Sequence, residues 1–401
     1  MKKLWLFVKT SFILKFSIFV TLASTVTLIY FGRYWQLKME TSAKELIDSA
    51  LQTRLESQLG QVSQSLEDLK NQDQYVINQE LTEQIGQIEA AYGQTVKAYE
   101  DLLDLKSSLR KAEDVEGLFA KTLSFLAQGN YASASGELKK LNSAILQEKE
   151  KLATASIVLP PSALVINQPP ASSVGHQRQA VSTDQGNFLV DIISADLNSV
   201  RVAVDTASAS DCFNDCPVLS LADYVARNGA FAGVNGTYFC PASYPSCAGK
   251  TNTFDLLVMN KNKYYFNSDN NVYSNNPAVI FSNGSARFVT TASQWGRDTS
   301  VDAVISNFPL LVFNNNIAFD GDTDAKQLAR GNRSFVANIG STVYIGVVHN
   351  ATVVQSAKVL ETMGMNNALN LDNGGSTALW YSGYKVGPGR NLPNAVLLIR
   401  K

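Results

Sequence analysis

Leu369-Asn-Leu-Asp-Asn-Gly-Gly-Ser-Thr377 is the stretch on which the fold turns. Its alternating apolar residues read as a strand ending at Asp372, and Gly374-Gly375 then let the backbone approach a ligand closely. Ser376 and Thr377 add hydroxyls, and successive N–H groups in such a loop make an anion-binding nest. A glycine turn capped by an aspartate fits this stretch equally well in isolation. Working outward, Phe188-Leu-Val-Asp-Ile-Ile, Val200-Arg-Val-Ala-Val-Asp, Val343-Tyr-Ile-Gly-Val-Val and Ala395-Val-Leu-Leu-Ile also read as strands. Ser220 to Arg227 and Ser356 to Met363 read as helices, each started by its serine. Strands with a few interspersed helices imply an α+β head domain.

The rest of the chain differs in composition. Among 401 residues, 34 Lys+Arg against 35 Asp+Glu leave a net charge of −1, which excludes a nucleic-acid binder working through bulk positive charge. Residues 1–38 carry six cations and no acid, residues 39–152 carry 12 cations and 19 acids, and residues 153–401 carry 16 of each. Glu361 is the one glutamate in that last part, which is rich in Asp, Asn and Gly and so reads as turns and strands; the Glu-, Gln- and Leu-rich middle reads as helix.

Phe16 to Phe31 has no charge, and with Phe12, Ile13, Leu14 and a snorkelling Lys15 the span reaches about 20 residues, enough to cross a bilayer. Tyr34 and Trp35 suit the interface, and the lysines ahead of the span put the 1–15 tail in the cytoplasm by the positive-inside rule. The expectation is a single-pass anchor over 16–35 in the cell membrane, with the head outside. A cleaved signal peptide competes, but no small-x-small site follows Phe31.

A helical stalk is expected over 40–155. Leu51, Leu55, Leu59, Val62, Leu66 and Leu69, then Ile77, Leu81, Ile85, Ile88, Tyr92, Val96, Tyr99 and Leu103, form an apolar stripe close to a coiled-coil seam, with a change of phase near Asn71-Gln-Asp73. Such a seam serves a homo-oligomer or an intrachain hairpin equally. A further break falls at Gly129-Asn130. Residues 156–182, with Pro160, Pro161, Pro169 and Pro170, read as a semi-extended linker between stalk and head, leaving His176 without a role. The four cysteines fall in one window, and an even number outside the membrane suggests disulfides, with Cys212–Cys216 and Cys240–Cys247 favoured among three pairings. Spacings of C-x3-C and C-x6-C fit a zinc site poorly.

Three more segments accompany the first. Gly233-Val-Asn-Gly-Thr-Tyr-Phe239 ends a buried strand in a turn. Arg330-Gly-Asn-Arg-Ser-Phe335 offers forked donors for a phosphate. Gly387-Pro-Gly-Arg-Asn-Leu-Pro-Asn394 brings Arg390 in before the last strand. In this order the four segments resemble the phosphodiester glycosidase family over about residues 185–401. Asn235-Gly-Thr-Tyr-Phe is similar to the family's Asn-Gly-x-Tyr/Phe-Phe turn, Arg333-Ser334 to its Arg-Thr/Ser element, the Asp372 loop to its Asn-Leu-Asp-Gly-Gly-Gly-Ser loop, and Arg390-x-x-Pro-Asn to its closing segment. Asn373 stands where glycine is usual.

The resemblance implies a hydrolase that cleaves a sugar-1-phosphodiester on a cell-envelope or exopolysaccharide glycan, without a cofactor. A phosphate monoester leaves as a stable anion, so an arginine can take the place of the general acid that ordinary glycosidases need. One carboxylate, as base or nucleophile, then suffices. Asp372 is the expected carboxylate. Arg333 is expected to hold the phosphate with Arg390 assisting, and Asn235 to bind a sugar hydroxyl or orient water. Gly374, Gly375, Ser376 and Thr377 complete the anion site; Asn370, Tyr238, His349 and a second carboxylate, Asp298, are further substrate-binding candidates. The alternatives are a non-catalytic head that binds a phosphate-bearing polysaccharide and a structural adhesion protein. Asp320-Gly-Asp322-Thr-Asp324 lacks the glutamate of a calcium loop, so no metal is expected.

Overall fold

The computed structural model of the chain describes residues 2–71, 73–108, 112–157, 165–172, 175–269, 274–319, 321 and 325–401. Asp320, Asp322, Asp324, Pro160 and Pro161 lie outside the described residues. Contacts divide the chain into two units, Met1–Gly86 and Gln87–Lys401.

The helical region comprises α1 (Lys2–Lys70), α2 (Asp73–Ser108), α3 (Glu113–Ala127) and α4 (Tyr131–Ile157). The breaks near Asn71 and at Gly129-Asn130 fall between elements, as expected. Phe12–Lys70 is the one span among the described residues long and apolar enough to cross a membrane. Within one chain, among the described residues, the expected coiled-coil seam has no partner helix on it: Leu51, Leu59, Leu81 and Ile85 are exposed. Further along α2 the buried face is Ala98, Leu102 and Leu105, one position away from the expected Leu103. That face is set by packing against Val115 of α3 and Leu138, Leu141 and Ile145 of α4. Residues from 87 onward thus fall in the same unit as the head.

Among the described residues the head holds seventeen strands. In chain order they are β1 (His176–Thr183), β2 (Gly186–Asp196), β3 (Val200–Thr206), β4 (Ala232–Asn235), β5 (Val258–Met259), β6 (Tyr265–Phe266), β7 (Ala278–Ser282), β8 (Ser285–Val289) and β9 (Ala303–Ser306). There follow β10 (Leu310–Phe313), β11 (Asn316–Ile317), β12 (Gly331–Ile339), β13 (Thr342–Ala351), β14 (Asn367–Asn373), β15 (Leu379–Tyr381), β16 (Tyr384–Val386) and β17 (Asn394–Arg400). They form three sheets, ordered β1-β2-β13-β12-β14-β10-β11, β16-β15-β4-β17-β3 and β6-β5-β9-β7-β8. Strand β1 occupies the end of the stretch read as linker, because His176 to Thr183 pairs residue by residue with β2.

One apolar core fills the space between the sheets. It takes Ile193, Val336, Ile345 and Leu371 from the first, Val202, Val234 and Val396 from the second, and Val258, Phe281 and Ile305 from the third. Helices cover the outer faces. Helix α5 (Leu221–Asn228), capped by Ser220 as expected, packs Leu221, Tyr224 and Val225 on the second sheet. Helix α6 (Ala325–Leu328) is a single turn. Helix α7 (Val353–Thr362) covers the first sheet with Val353, Ala357, Val359 and Leu360. It begins earlier than Ser356, because Thr352 and Gln355 form a reciprocal capping box that satisfies two end amides. The result is the α+β class expected from the sequence.

Candidate active site

The three sheets meet at the end of β14. The Asp372 N–H donates to Gly236 O just past β4 at 2.9 Å, and Asn235 Nδ2 donates to Asp372 O at 2.7 Å. Asn307, after β9, ties in the third sheet: its Nδ2 donates to Asn370 O and its Oδ1 accepts from Tyr238 N. Strands β12 and β14 of the first sheet pair beside Asp372 with Arg333 opposite Asn373, next to a register shift between Arg333 and Phe335. Arg333 and Asp372 therefore sit on neighbouring strands of one sheet.

The Asp372 side chain is buried, with its Oδ1 accepting the Asn373 N–H at 2.8 Å. Burial pushes this carboxyl up to about 7; the Ser376 hydroxyl, the Arg390 charge and the Asn373 N–H pull it down, and the Asp104 charge adds to the rise. A carboxyl balanced there can hold or release a proton near neutral pH. Arg390 reaches the site because Gly375 has no side chain: a Cβ there would collide with its guanidinium. Arg390 N also donates to Gly375 O at 2.9 Å. Gly374 makes the turn in the left-handed region, at φ 60°.

The other candidates take distinct places. Arg333 is buried, donating from Nε to Ala351 O at 2.9 Å and from Nη2 to the carbonyls of Lys326 and Ala329. Asn235 is wholly buried, its Oδ1 accepting from Ser334 Oγ at 2.7 Å and from Ala378 N at 3.1 Å. It fixes the backbone of Asp372. Tyr238 stands against both charges: burial pushes its phenol up to about 12, Asp372 adds to that, and Arg333 opposes it. Its hydroxyl accepts from Asn370 Nδ2 at 2.6 Å and Asn373 Nδ2 at 3.1 Å. Asn373, present where glycine was expected, also accepts the Ser334 N–H and so links β12, β14 and Tyr238. Thr377 Oγ1 donates to Asn332 O.

Two candidates fall outside this group. His349 Nε2 lies 2.7 Å from Asp191 Oδ2, and His176 Nε2 lies 2.8 Å from Asp191 Oδ1. His176, read as idle, is thus part of the head. Asp298 is exposed in the loop before β9, accepting from Ser300 N, with Arg287 and Lys263 as its neighbouring charges. Both disulfides form as expected, Cys212–Cys216 and Cys240–Cys247. Among the described residues no cluster of metal-ligating side chains occurs.

The sequence reading missed the groups that face Arg390. Arg390 Nη2 donates to Asp104 Oδ1 of α2 at 2.8 Å, and the Tyr244 hydroxyl donates to the same oxygen at 2.5 Å. One turn earlier, Glu100 Oε1 accepts from Ser246 N at 3.2 Å and from Ser246 Oγ at 2.5 Å, and its Oε2 lies 3.9 Å from Lys326 Nζ. The one available signal was a pair of acids at i, i+4 beside an apolar stripe, which solvated helices also show.

The phosphodiester glycosidase family model matches residues 228–399. The match begins after β3, although β1 to β3 complete two of its sheets. No curated protein matches the chain. Among solved structures, the chain is similar to a zebrafish N-acetylglucosamine-1-phosphodiester alpha-N-acetylglucosaminidase catalytic domain, described as auto-inhibited by its pro-peptide. That match has 16% identity over 60% of this chain and 87% of that one, at a TM-score of 0.45. A hypothetical protein from Synechocystis matches at 12% identity over 56% of this chain and 62% of that one, at a TM-score of 0.39. An exported protein of Burkholderia pseudomallei matches at 12% identity over 53% and 74%, at 0.35.

Proposed function

We propose, from the premise that residues 228–399 are a phosphodiester glycosidase domain, that the chain hydrolyses the bond between a sugar's C1 and a phosphodiester oxygen on an envelope or exopolysaccharide glycan. The observation that carries this reading is the buried Asp372 carboxyl, raised to about 7 and facing Arg390. In the reaction, water adds at C1 as the C1–O bond breaks, and the phosphate monoester leaves with the electron pair. Asp372 in its ionised form takes the water's proton, or attacks C1 itself ahead of water. Arg390 stabilises the charge that grows on the departing phosphate. Arg333 supports this from behind, holding the Lys326–Ala329 turn by its carbonyls. Asn235 acts as a positioning residue, since its amide holds the Asp372 backbone.

The apolar span from Phe12 and the two disulfides support a single-pass anchor with the head outside the cell membrane. The exposed leucine stripe of α1 is the part suited to self-association, which cross-linking of the full chain would register. The activity is tested by incubating the full chain with sugar-1-phosphodiesters and analysing the products. Free sugar plus a phosphate monoester is expected. Saturable binding with no product would leave a polysaccharide-binding head in its place.

A further inference from the structure

The groups that hold α2 against the head are those that bind anions. Asp104 is held by Arg390 and the Tyr244 hydroxyl, and Glu100 by the Ser246 N–H, the Ser246 hydroxyl and Lys326. Tyr244 joins the two sets: Arg390 lies 5.0 Å and Lys326 4.8 Å from its ring centroid. The Cys240–Cys247 disulfide closes the short loop that carries both Tyr244 and Ser246. Glu100 is buried, an expensive place for a carboxylate without strong partners. Residues four apart on a helix set their side chains about 5–6 Å from each other. The two carboxylates thus measure the spacing of two anion-binding lobes on the head.

We propose that Arg390 with Tyr244, and Lys326 with Ser246, form a two-lobed site for a ligand bearing two phosphate groups about one helical turn apart, and that Glu100 and Asp104 of α2 occupy it until such a ligand displaces them. The inference rests on the glycosidase reading for the identity of the ligand and narrows it to a chain of phosphodiester-linked units. A lone sugar phosphodiester fills one lobe and leaves Glu100 in the other. A polymer fills both and displaces Glu100 as well as Asp104, whereas a lone sugar phosphodiester frees Arg390 by displacing Asp104 alone.

The test uses the full chain and calorimetry with inorganic orthophosphate and tripolyphosphate as probes. With Glu100→Gln and Asp104→Asn together, tripolyphosphate is expected to bind at least tenfold more tightly than to the unsubstituted chain, and at least tenfold more tightly than orthophosphate does. Adding Lys326→Ala to that pair is expected to abolish the preference while orthophosphate still binds. Equal affinities with and without the α2 carboxylates would overturn the proposal. A readout on the unsubstituted chain guards against a variant that does not fold: saturating tripolyphosphate is expected to speed amide hydrogen exchange over residues 95–106. Unchanged exchange at saturation would overturn the proposal equally. Binding does not require turnover, so failure here with hydrolysis intact leaves the glycosidase reading standing. Success here without hydrolysis removes that reading alone.

Discussion

Asp372 and Asp191 are both buried aspartates of one sheet, and their surroundings drive them in opposite directions. Burial alone would push both carboxyls up. At Asp191 hydrogen bonds from His349, Arg178 and His176 outweigh burial and hold the group well below the ordinary carboxylate range. Arg178 meets it through Nε and Nη2, the latter at 2.6 Å. At Asp372 the Ser376 hydroxyl, the Arg390 charge and the Asn373 N–H oppose burial more weakly, and Arg390 divides its attraction with Asp104, so burial wins and the group rises to about 7. A carboxylate satisfied on every side joins strands β1, β2 and β13 and stays ionised. A carboxyl left short of partners remains available for proton transfer or attack. The difference lies in the strength of the opposing groups, since both side chains are buried.

Replacing the two aspartates separates these roles. Asp372→Asn is expected to lower the rate of sugar-1-phosphodiester hydrolysis by about a thousandfold, within the range for loss of a catalytic acid or base, with little change in thermal unfolding. Undiminished hydrolysis would remove Asp372 from the chemistry. Asp191→Asn reverses the pattern. It leaves Arg178 and two histidines short of an acceptor and is expected to destabilise the head by about 2 kcal/mol, read in a urea melt. Hydrolysis at low temperature should stay within a few-fold of the unsubstituted rate.

The same pair predicts opposite dependences on pH. Asp191, depressed in the folded state, contributes stability that is present above about pH 4 and is lost as pH falls through its folded value. Asp372, raised to about 7, opposes folding progressively as pH climbs from about 4 to 7, because the folded state there binds more protons than the unfolded state. Since the ionised form is the reactive one, kcat should rise as pH passes about 7, and a flat profile from 5 to 8 would contradict that assignment. The smallest effect is expected from Gly375→Ala. Its new methyl displaces the Arg390 guanidinium, which is the far end of a flexible side chain. Hydrolysis should fall about tenfold while stability shifts by less than about 1 kcal/mol.

Much of the head is legible in the sequence because its signals are local. The apolar alternation of β13 and β17, the Ser220 cap, the Asp372-Gly374-Gly375 turn and the short-range disulfides each lie within a few residues. What escapes the sequence is set by contacts between distant residues. Asp104 and Arg390 are 286 positions apart, so no period or motif could register their pairing. His176 sits among prolines and serines that read as linker, and its role depends on a strand pairing that brings Asp191 beside it. For Arg333 and Asn235 the residue types suggested ligand contacts, while burial directs their donors to backbone carbonyls. The α2 face shifted by one position because α3 and α4, which supply its partners, carry no mark of that register.

The account turns on Asp372 titrating near neutrality in the same molecule in which Asp191 does not. Aspartate-selective carbon-13 labelling of the full chain, with the two carboxyl signals assigned through Asp372→Asn and Asp191→Asn, measures both at once. The expected result is an Asp372 carboxyl that changes protonation close to pH 7 and an Asp191 carboxyl still ionised at pH 3. An Asp372 signal that titrates near pH 4, like an ordinary exposed aspartate, would contradict the account.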